Sequence, residues 1–301
     1  MSLYALDGTS IISCYDYNSL PLMQVYDING NRILINNSIK VATYNVGQWY
    51  LGNHDNVPAN RDAEYYALQN GIIQSIDADI LLLEEYVDQF SKSGRTAYSL
   101  LSQYYPYIEA RGGGSTTTTD GRCICSKFPI SNYAVRVYQQ GGKYYDSCNV
   151  TIGNLVFTVF VTHLHWAAGL PDYDREAQVA ELISVASQMQ NVIIGGDFNT
   201  AIGGSATEEQ NTERYNTFVK PFVDAGFNSA NFSKFGNFVT CIDGPTVASN
   251  NWYLDNIYTS QNIEIVDAYV DTTKLTDGLN DKIDHMPLIA TLQIGGTIEY
   301  F

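Results

Sequence analysis

From residue 39 onward the hydrophobic positions alternate between two periods. Val41–Val46, Ile80–Leu83, Leu155–Val161, Asn191–Ile194, Trp252–Thr259 and Leu288–Ile294 are short apolar or β-branched runs, the signature of strands. Ile80-Leu81-Leu82-Leu83 has no polar position at all, which predicts a strand covered on both faces. Between these runs the spacing changes. Ala63, Tyr66, Ala67, Ile73 and Ile76 fall on one helical stripe, with Asn60 as the cap and Asp77-Ala78-Asp79 as the stop. Asp174 opens a second helix with Val179, Leu182, Ile183, Ala186 and Met189 inside. A third, over residues 208–225, uses Tyr215, Phe218, Val219, Phe222 and Val223, kinks at Pro221 and ends at Gly226. Cys123–Ser126 and Val135–Tyr138 read as short strands, and the glycines and threonines of 112–121 as a loop.

Residues 1–38 differ. Leu22–Ile28 and Arg32–Ile35 flank Asn29-Gly30, a strong short-range hairpin signal, so this stretch reads as a small β-rich extension to a main domain over 39–301. It serves either as an attachment or oligomer contact or as strands lengthening an edge of the main sheet. Mixed strands and helices with apolar strands need both sheet faces covered, which suits two sheets with helices outside.

Composition narrows the class. The chain has 301 residues, 45% apolar and 16% charged, enough to bury a core and incompatible with disorder. No apolar run approaches the ~18 residues that span a bilayer. The N-terminus lacks the basic and apolar regions of a secretory signal, giving a soluble protein, cytoplasmic by default. Cys14, Cys123, Cys125, Cys148 and Cys241 form no disulfide framework, and Cys123-Ile124-Cys125 reads as two small buried hydrophobes on one strand face. The net charge is −16, which repels polyanions at long range. Any polyanion handled here must be met by a local site or a bound cation.

Polar residues recur where the predicted strands end: Asn45, Glu84-Glu85, His163, Asp197-Phe198-Asn199, Asp255-Asn256, and Asp284-His285 before the last strand. Taken singly, each has an ordinary explanation as a turn former, a solvated rim or a satisfied core histidine. Their recurrence points to one mouth, because strand ends of layered α/β folds converge.

In order, the segments Thr43-Tyr44-Asn45-Val46, Leu83-Glu84-Glu85-Tyr86, Cys125-Ser126-Lys127-Phe128-Pro129-Ile130, Thr162-His163-Leu164, Gly195-Gly196-Asp197-Phe198-Asn199, Leu254-Asp255-Asn256-Ile257 and Asp284-His285-Met286-Pro287-Leu288 resemble the endonuclease/exonuclease/phosphatase superfamily. The resemblance implies an α+β class DNase I-like fold, a four-layer α-β-β-α sandwich of two mixed sheets. It implies a metal-dependent phosphoester hydrolase that uses Mg²⁺, with Mn²⁺ or Ca²⁺ as alternatives. Asn45, Glu85 and Asp284 then belong to the metal site, with Glu84 in the place the family commonly gives to Gln. Asp197 orients or deprotonates the attacking water, Asn199 holds a phosphate oxygen, Asp255 buttresses His285 against the scissile phosphate, and His163 binds or protonates an oxygen. These types suit the chemistry: phosphodiester hydrolysis must neutralise non-bridging oxygens and supply a nucleophile and a proton. Mg²⁺ prefers oxygen ligands and keeps several waters.

Arg122, just before a strand, is the candidate for a substrate phosphate, with a surface ion pair as the alternative. His165 and Trp166 read as packing at the pocket rim, Arg175 with Gln178 as structural, and His54 carries no signal. Arg95, Arg111, Arg122, Arg136 and Lys143 are a modest basic group for a nucleic acid partner. Local cations and Mg²⁺ dominate within a Debye length of ~8 Å, so the acidic balance does not exclude a nuclease. The reading is a low-specificity endonuclease. The alternatives are a phosphomonoesterase, or an enzyme for inositol phosphates or lipid head groups (to which Trp49-Tyr50-Leu51 is a thin pointer), and a catalytically idle scaffold or attachment protein.

Overall fold

The structure, a computed structural model, describes residues 25–26, 32–33, 38–47, 62–88, 96–110, 121–167, 170–231, 252–271 and 285–294. Asn60, Asp284, His54, Arg95, Arg111, Trp49-Tyr50-Leu51, Cys14, Cys241 and most of the Gly/Thr loop lie outside these residues. The strands are β1 Val25–Tyr26, β2 Arg32–Ile33, β3 Ser38–Asn45, β4 Ile80–Tyr86, β5 Tyr107–Ala110, β6 Gly121–Ser126 and β7 Ile130–Val137. They continue with β8 Tyr144–Ile152, β9 Leu155–His163, β10 Val192–Gly203, β11 Phe227–Ser229, β12 Trp252–Ser260, β13 Ile263–Val270 and β14 Leu288–Ile294. The helices are α1 Asp62–Ile76, α2 Ala97–Leu101, α3 Tyr173–Ala186, α4 Glu208–Arg214 and α5 Lys220–Asp224.

Two six-stranded sheets carry the fold, in the orders β11-β12-β10-β9-β8-β7 and β13-β14-β3-β4-β6-β5. Each has one parallel pair at its centre, β9 with β10 and β3 with β4, among antiparallel neighbours. Alternation along the strands sorts the side chains into three cores. Val41, Ile80 and Leu82 from one sheet meet Val159, Val161, Ile193 and Ile257 from the other between the sheets. Leu81 and Leu83 turn outward under Ile72, Ile73 and Ile76 of α1. Ile194, Phe160 and Tyr258 turn outward under Leu182 of α3 and Phe218 and Phe222. This is the four-layer α-β-β-α arrangement, and it explains why Ile80–Leu83 has no polar position. Val25 pairs with Ile33 and Tyr26 with Arg32, a small antiparallel pair around Asn29-Gly30.

Details depart from the sequence pattern. On α1 the buried stripe is Leu68, Gln69, Ile72, Ile73 and Ile76, and Ala67 faces solvent. Helix α3 is capped by Asp172, whose carboxylate accepts from Arg175 N, and Met189 lies beyond its end, 41% exposed. The kink of the third helix is a π-helical turn, Tyr215–Val219, closed by Lys220 N–H donating to Tyr215 O just before Pro221. Proline brings no N–H and crowds the preceding turn, and widening that turn relieves it. The pattern did not reveal α2, β5, β8, β11 or β13. Cys123 and Cys125 share one buried face of β6, and burial pushes the Cys148 thiol up to about 12 and that of Cys123 upward as well. Such thiols are inert at neutral pH.

Gly195 and Gly196 let β10 run close to its neighbours. A Cβ on Gly195 would overlap Leu82 across the sheets, and one on Gly196, at φ +156°, would overlap the Thr162 carbonyl of β9. Gly196→Ala is therefore expected to cost about 2–3 kcal/mol, because a strand carbonyl cannot move aside as a flexible side chain can. The denaturant midpoint checks this, and an unchanged midpoint would contradict the packing.

Candidate active site

The central parallel pairs aim their C-terminal ends at one rim. Strand β3 ends at Asn45 and β9 ends at His163. Asp197 of β10 stands opposite both His163 of β9 and Asp255 of β12. His285 just precedes β14, the neighbour of β3. The two sheets meet here through side chains: Asn45 Nδ2 donates to Asp197 Oδ2 at 3.1 Å and to Glu85 Oε1 at 3.3 Å. Asn45, Glu85, His163, Asp197, Asp255 and His285 are thus brought together, in a buried rather than an open mouth, while Asp284 lies outside the described residues. Asn45 and Asp197 are 2% exposed, His285 6% and His163 8%, while the Glu85 side chain is 27% open.

Two irregularities do the aiming. Plain alternation would send Glu85 outward with Leu81 and Leu83. The β4–β6 register shifts between Glu84 and Tyr86, Glu85 takes φ +49°, and its carboxylate turns toward Asn45. In β10 the register with β12 shifts between Asp197 and Ile202, with Asn199 at φ +51° and Ala201 at +50°. Arg175 locks this second bulge. It is buried, its NH1 donates to Asn199 O, its Nε lies 3.3 Å from Asp172, and its guanidinium covers the Phe218 ring at 3.9 Å. Burial lowers its pKa to about 10, with Asp172 and Asp197 opposing, so it stays charged. Neither bulge carries a glycine at the bent residue, and Asn199, a type that tolerates positive φ, is the one local signal.

Asp197 is the hub. Its Oδ1 accepts from Asn199 N at 2.9 Å, and its Oδ2 lies 3.6 Å from His285 Nε2 and 3.7 Å from His163 Nε2. Burial alone pushes its carboxyl up, but the two histidines, the Asn199 N–H and the Asn45 amide outweigh it and hold it below the ordinary value. His285 Nδ1 contacts Asp255 Oδ2 at 2.8 Å, with the Asp255 side chain fully buried. A carboxylate on Nδ1 fixes that proton and leaves Nε2 directed at Asp197. His163 Nδ1 is 3.9 Å from Glu85 Oε1, on the other side of the same mouth.

Two expected roles change, and the orientation of a third residue is fixed. Arg122 is wholly buried and does not face a substrate: NH2 donates to Tyr144 O and His163 O, NH1 to Gly121 O, and the guanidinium covers the Tyr144 ring. It clamps the end of β9 from behind. Asn199 spends Nδ2 on Leu164 O at 2.9 Å, which makes it a brace between β9 and β10. Asn45 Oδ1 accepts from Gly47 N–H at 2.9 Å, so its amide orientation is dictated by its partners, with Nδ2 between the two carboxylates. His165 is a packing residue tied through Nδ1 to Asp172 at 3.1 Å.

The donor set suits a hard cation. Asp197, Asp255 and His285 offer atoms within 4.8 Å of one another, but Asp255 and His285 are already spent on each other. Glu85 and Asp197 present carboxylate oxygens around one amide nitrogen, and Glu85 opens to solvent, where an ion that keeps several waters can enter.

A family model, Endonuclease/Exonuclease/phosphatase family, matches residues 42–277. The chain belongs to this family. It is a phosphoesterase, and the buried Asp/His cluster is consistent with the family's active site. Solved structures agree in fold. An endonuclease/exonuclease/phosphatase from Beutenbergia cavernae superposes at TM-score 0.61 and 14% identity over 86% of this chain and 72% of that one. The human Nocturnin catalytic domain with bound sulfate anion gives 0.59 and 18% over 87% and 97%. D. rerio TDP2 complexed with single strand DNA product gives 0.62 and 11% over 85% and 98%. At these identities the likeness is one of fold. No curated protein sequence matches the chain. No helix of the described residues is long and apolar enough to cross a membrane.

Glu84, beside Glu85 on β4, is held quite differently. It is fully buried, accepts from Thr43 Oγ1 at 2.8 Å, and its pKa is raised well above normal, chiefly by burial and then by Asp255. A carboxyl whose folded pKa is raised adds stability below its unfolded value and loses it as pH rises toward the folded one. Glu84→Gln removes that dependence. The variant's Tm should match the wild type near pH 4 and exceed it by about 2–4 °C or more at pH 8. A Tm difference independent of pH would show that Glu84 folds ionised.

Proposed function

We propose that the chain is a Mg²⁺-dependent phosphodiesterase, a nuclease of low sequence specificity that cuts internal bonds. The observation that carries this reading is Asp197 Oδ2 lying within 3.7 Å of both His163 Nε2 and His285 Nε2, with Asp255 behind His285. The low pKa of Asp197 keeps it ionised at neutral pH, ready to orient a water and accept its proton. His285, with Nδ1 engaged by Asp255, presents Nε2 to a non-bridging phosphate oxygen. His163 donates to the leaving oxygen. Asn199 and Asn45 hold the Asp197 carboxylate in place. Glu85 would hold the Mg²⁺, with Asn45 beside it and Asp284 as the second carboxylate that the sequence supplies, and Mn²⁺ or Ca²⁺ as substitutes. Bound there, the ion neutralises charge on the phosphate oxygens. A nucleic acid partner is supported by D. rerio TDP2, which carries a single strand DNA product.

Closed circular DNA tests the reading, since it has no ends. The expected result is nicking with Mg²⁺ and none with chelator. His285→Ala and Asp197→Asn should lower turnover by about 10²–10⁴-fold. The asparagine is chosen because Asp197 is buried, and alanine there would strand Asn45 and Asn199 donors. DNA left intact while phosphorylated inositols or choline lipids are hydrolysed would move the function to the phosphatase or phospholipid side. Wild-type turnover in either variant would reject the assigned roles.

A further inference from the structure

The two histidines of the mouth are held by different means. His285 is aimed through its ring, by Asp255 on Nδ1 at 2.8 Å. His163 is held through its backbone, and the group that holds it comes from the opposite sheet. Strands β8 and β9 are registered out to the pair Tyr145–Thr162. One residue further toward the rim, the carbonyls of Tyr144 and His163 both accept from Arg122 NH2, at 3.3 and 3.1 Å. Two carbonyls cannot bond each other, so a donor has to enter between them. Arg122 brings it from β6, in the sheet that holds β3 and β4. Its side chain is wholly buried, NH1 donates to Gly121 O at 3.4 Å, and the guanidinium lies 4.3 Å over the Tyr144 ring.

The other edge of β9 is fixed as well. His163 stands opposite Asp197 in the parallel register, Leu164 N donates to Asp197 O at 2.9 Å, and Asn199 Nδ2 donates to Leu164 O at 2.9 Å. The residue that carries the imidazole is thus gripped from both sides, with the ring 3.7 Å from Asp197 Oδ2 and 3.9 Å from Glu85 Oε1. Only a planar fork reaches the carbonyls of two strands and of its own neighbour at once. An ammonium is a point donor on a flexible stem and grips fewer of them.

We propose that Arg122 is a positioning residue for the hydrolytic step: by fixing the His163 carbonyl it aims the His163 ring at the leaving oxygen. In that step the attacking water forms the new P–O bond and gives a proton to Asp197. The P–O bond to the sugar breaks, and His163 Nε2 passes its proton to the departing oxygen. This rests on the phosphodiesterase reading for the step it serves, but the tie to His163 can be measured apart from hydrolysis. Single-turnover rates of the full chain with Mg²⁺ are compared on two oligothymidylates, one normal and one with sulfur in place of a single leaving oxygen. A thiolate departs without the proton that an alkoxide needs. Arg122→Met should lose about 10²-fold on the normal strand, and Arg122→Lys should recover about tenfold of that. On the sulfur bond both variants should stay within about threefold of the wild type. Added to His163→Gln, Arg122→Met should cost nothing further. In chelator, the ring C–H signal of His163, assigned by its loss in His163→Gln, should move in Arg122→Lys while that of His285 stays. Equal losses on the two strands, an unmoved His163 signal, or loss of the folded state in both Arg122 variants overturns the assignment. A His163 signal that moves in a protein cleaving neither strand upholds the tie between the two residues and overturns the nuclease reading.

Discussion

The constraint on which the site depends is the burial of a charged carboxylate at the seam between two sheets. Asp197 is 2% exposed, and an isolated ionised carboxylate there would be prohibitively costly. The fold offsets that cost from both sides: Asn45 reaches across from β3, the Asn199 N–H comes from the bulge, and His163 and His285 flank the outer oxygen. The same contacts that make the burial tolerable fix the carboxylate in one orientation. The glycines that let β10 approach β9 and β4 are as necessary to that arrangement as the polar groups.

The centre of the fold was legible because Ile80–Leu83 and Val192–Ile194 are buried on both faces and carry no polar residue, and because Leu155–Val161 is interrupted by a single threonine. The polar residue closing each run marked the rim. What could not be read was direction. Glu84 and Glu85 are adjacent acids, yet one is sealed between the sheets and the other opens to solvent, and the difference lies in a register shift that depends on β6. Arg122 looked available for a phosphate because its burial is created by Tyr144 and His163, carbonyls 22 and 41 residues away. Strands β5 and β7 stayed hidden in whole or part because they lie at sheet edges, where one side is solvated and the pattern is weak.

Among the described residues, two buried arginines serve the frame. Arg122 holds the β9 end and Arg175 the β10 bulge, so these two charges stiffen the walls of the mouth.

Backbone strain follows the same logic. Asn199 tolerates a left-handed conformation, as asparagine commonly does, whereas Glu85 and Ala201 do not adopt it readily. Each such residue costs of order 1–3 kcal/mol and persists only where its surroundings overdetermine it. At Ala201 the surroundings are Arg214, which donates to its carbonyl, and the Trp252 and Leu254 side chains. At Glu85 they are the Asn45 amide and the closed ladder on either side of the bulge. A relaxed strand would return Glu85 to the outward face beneath α1, where its carboxylate has no partner and no solvent. The strained form is thus the less costly of the two, and the carboxylate is held at the mouth without requiring a ligand to place it.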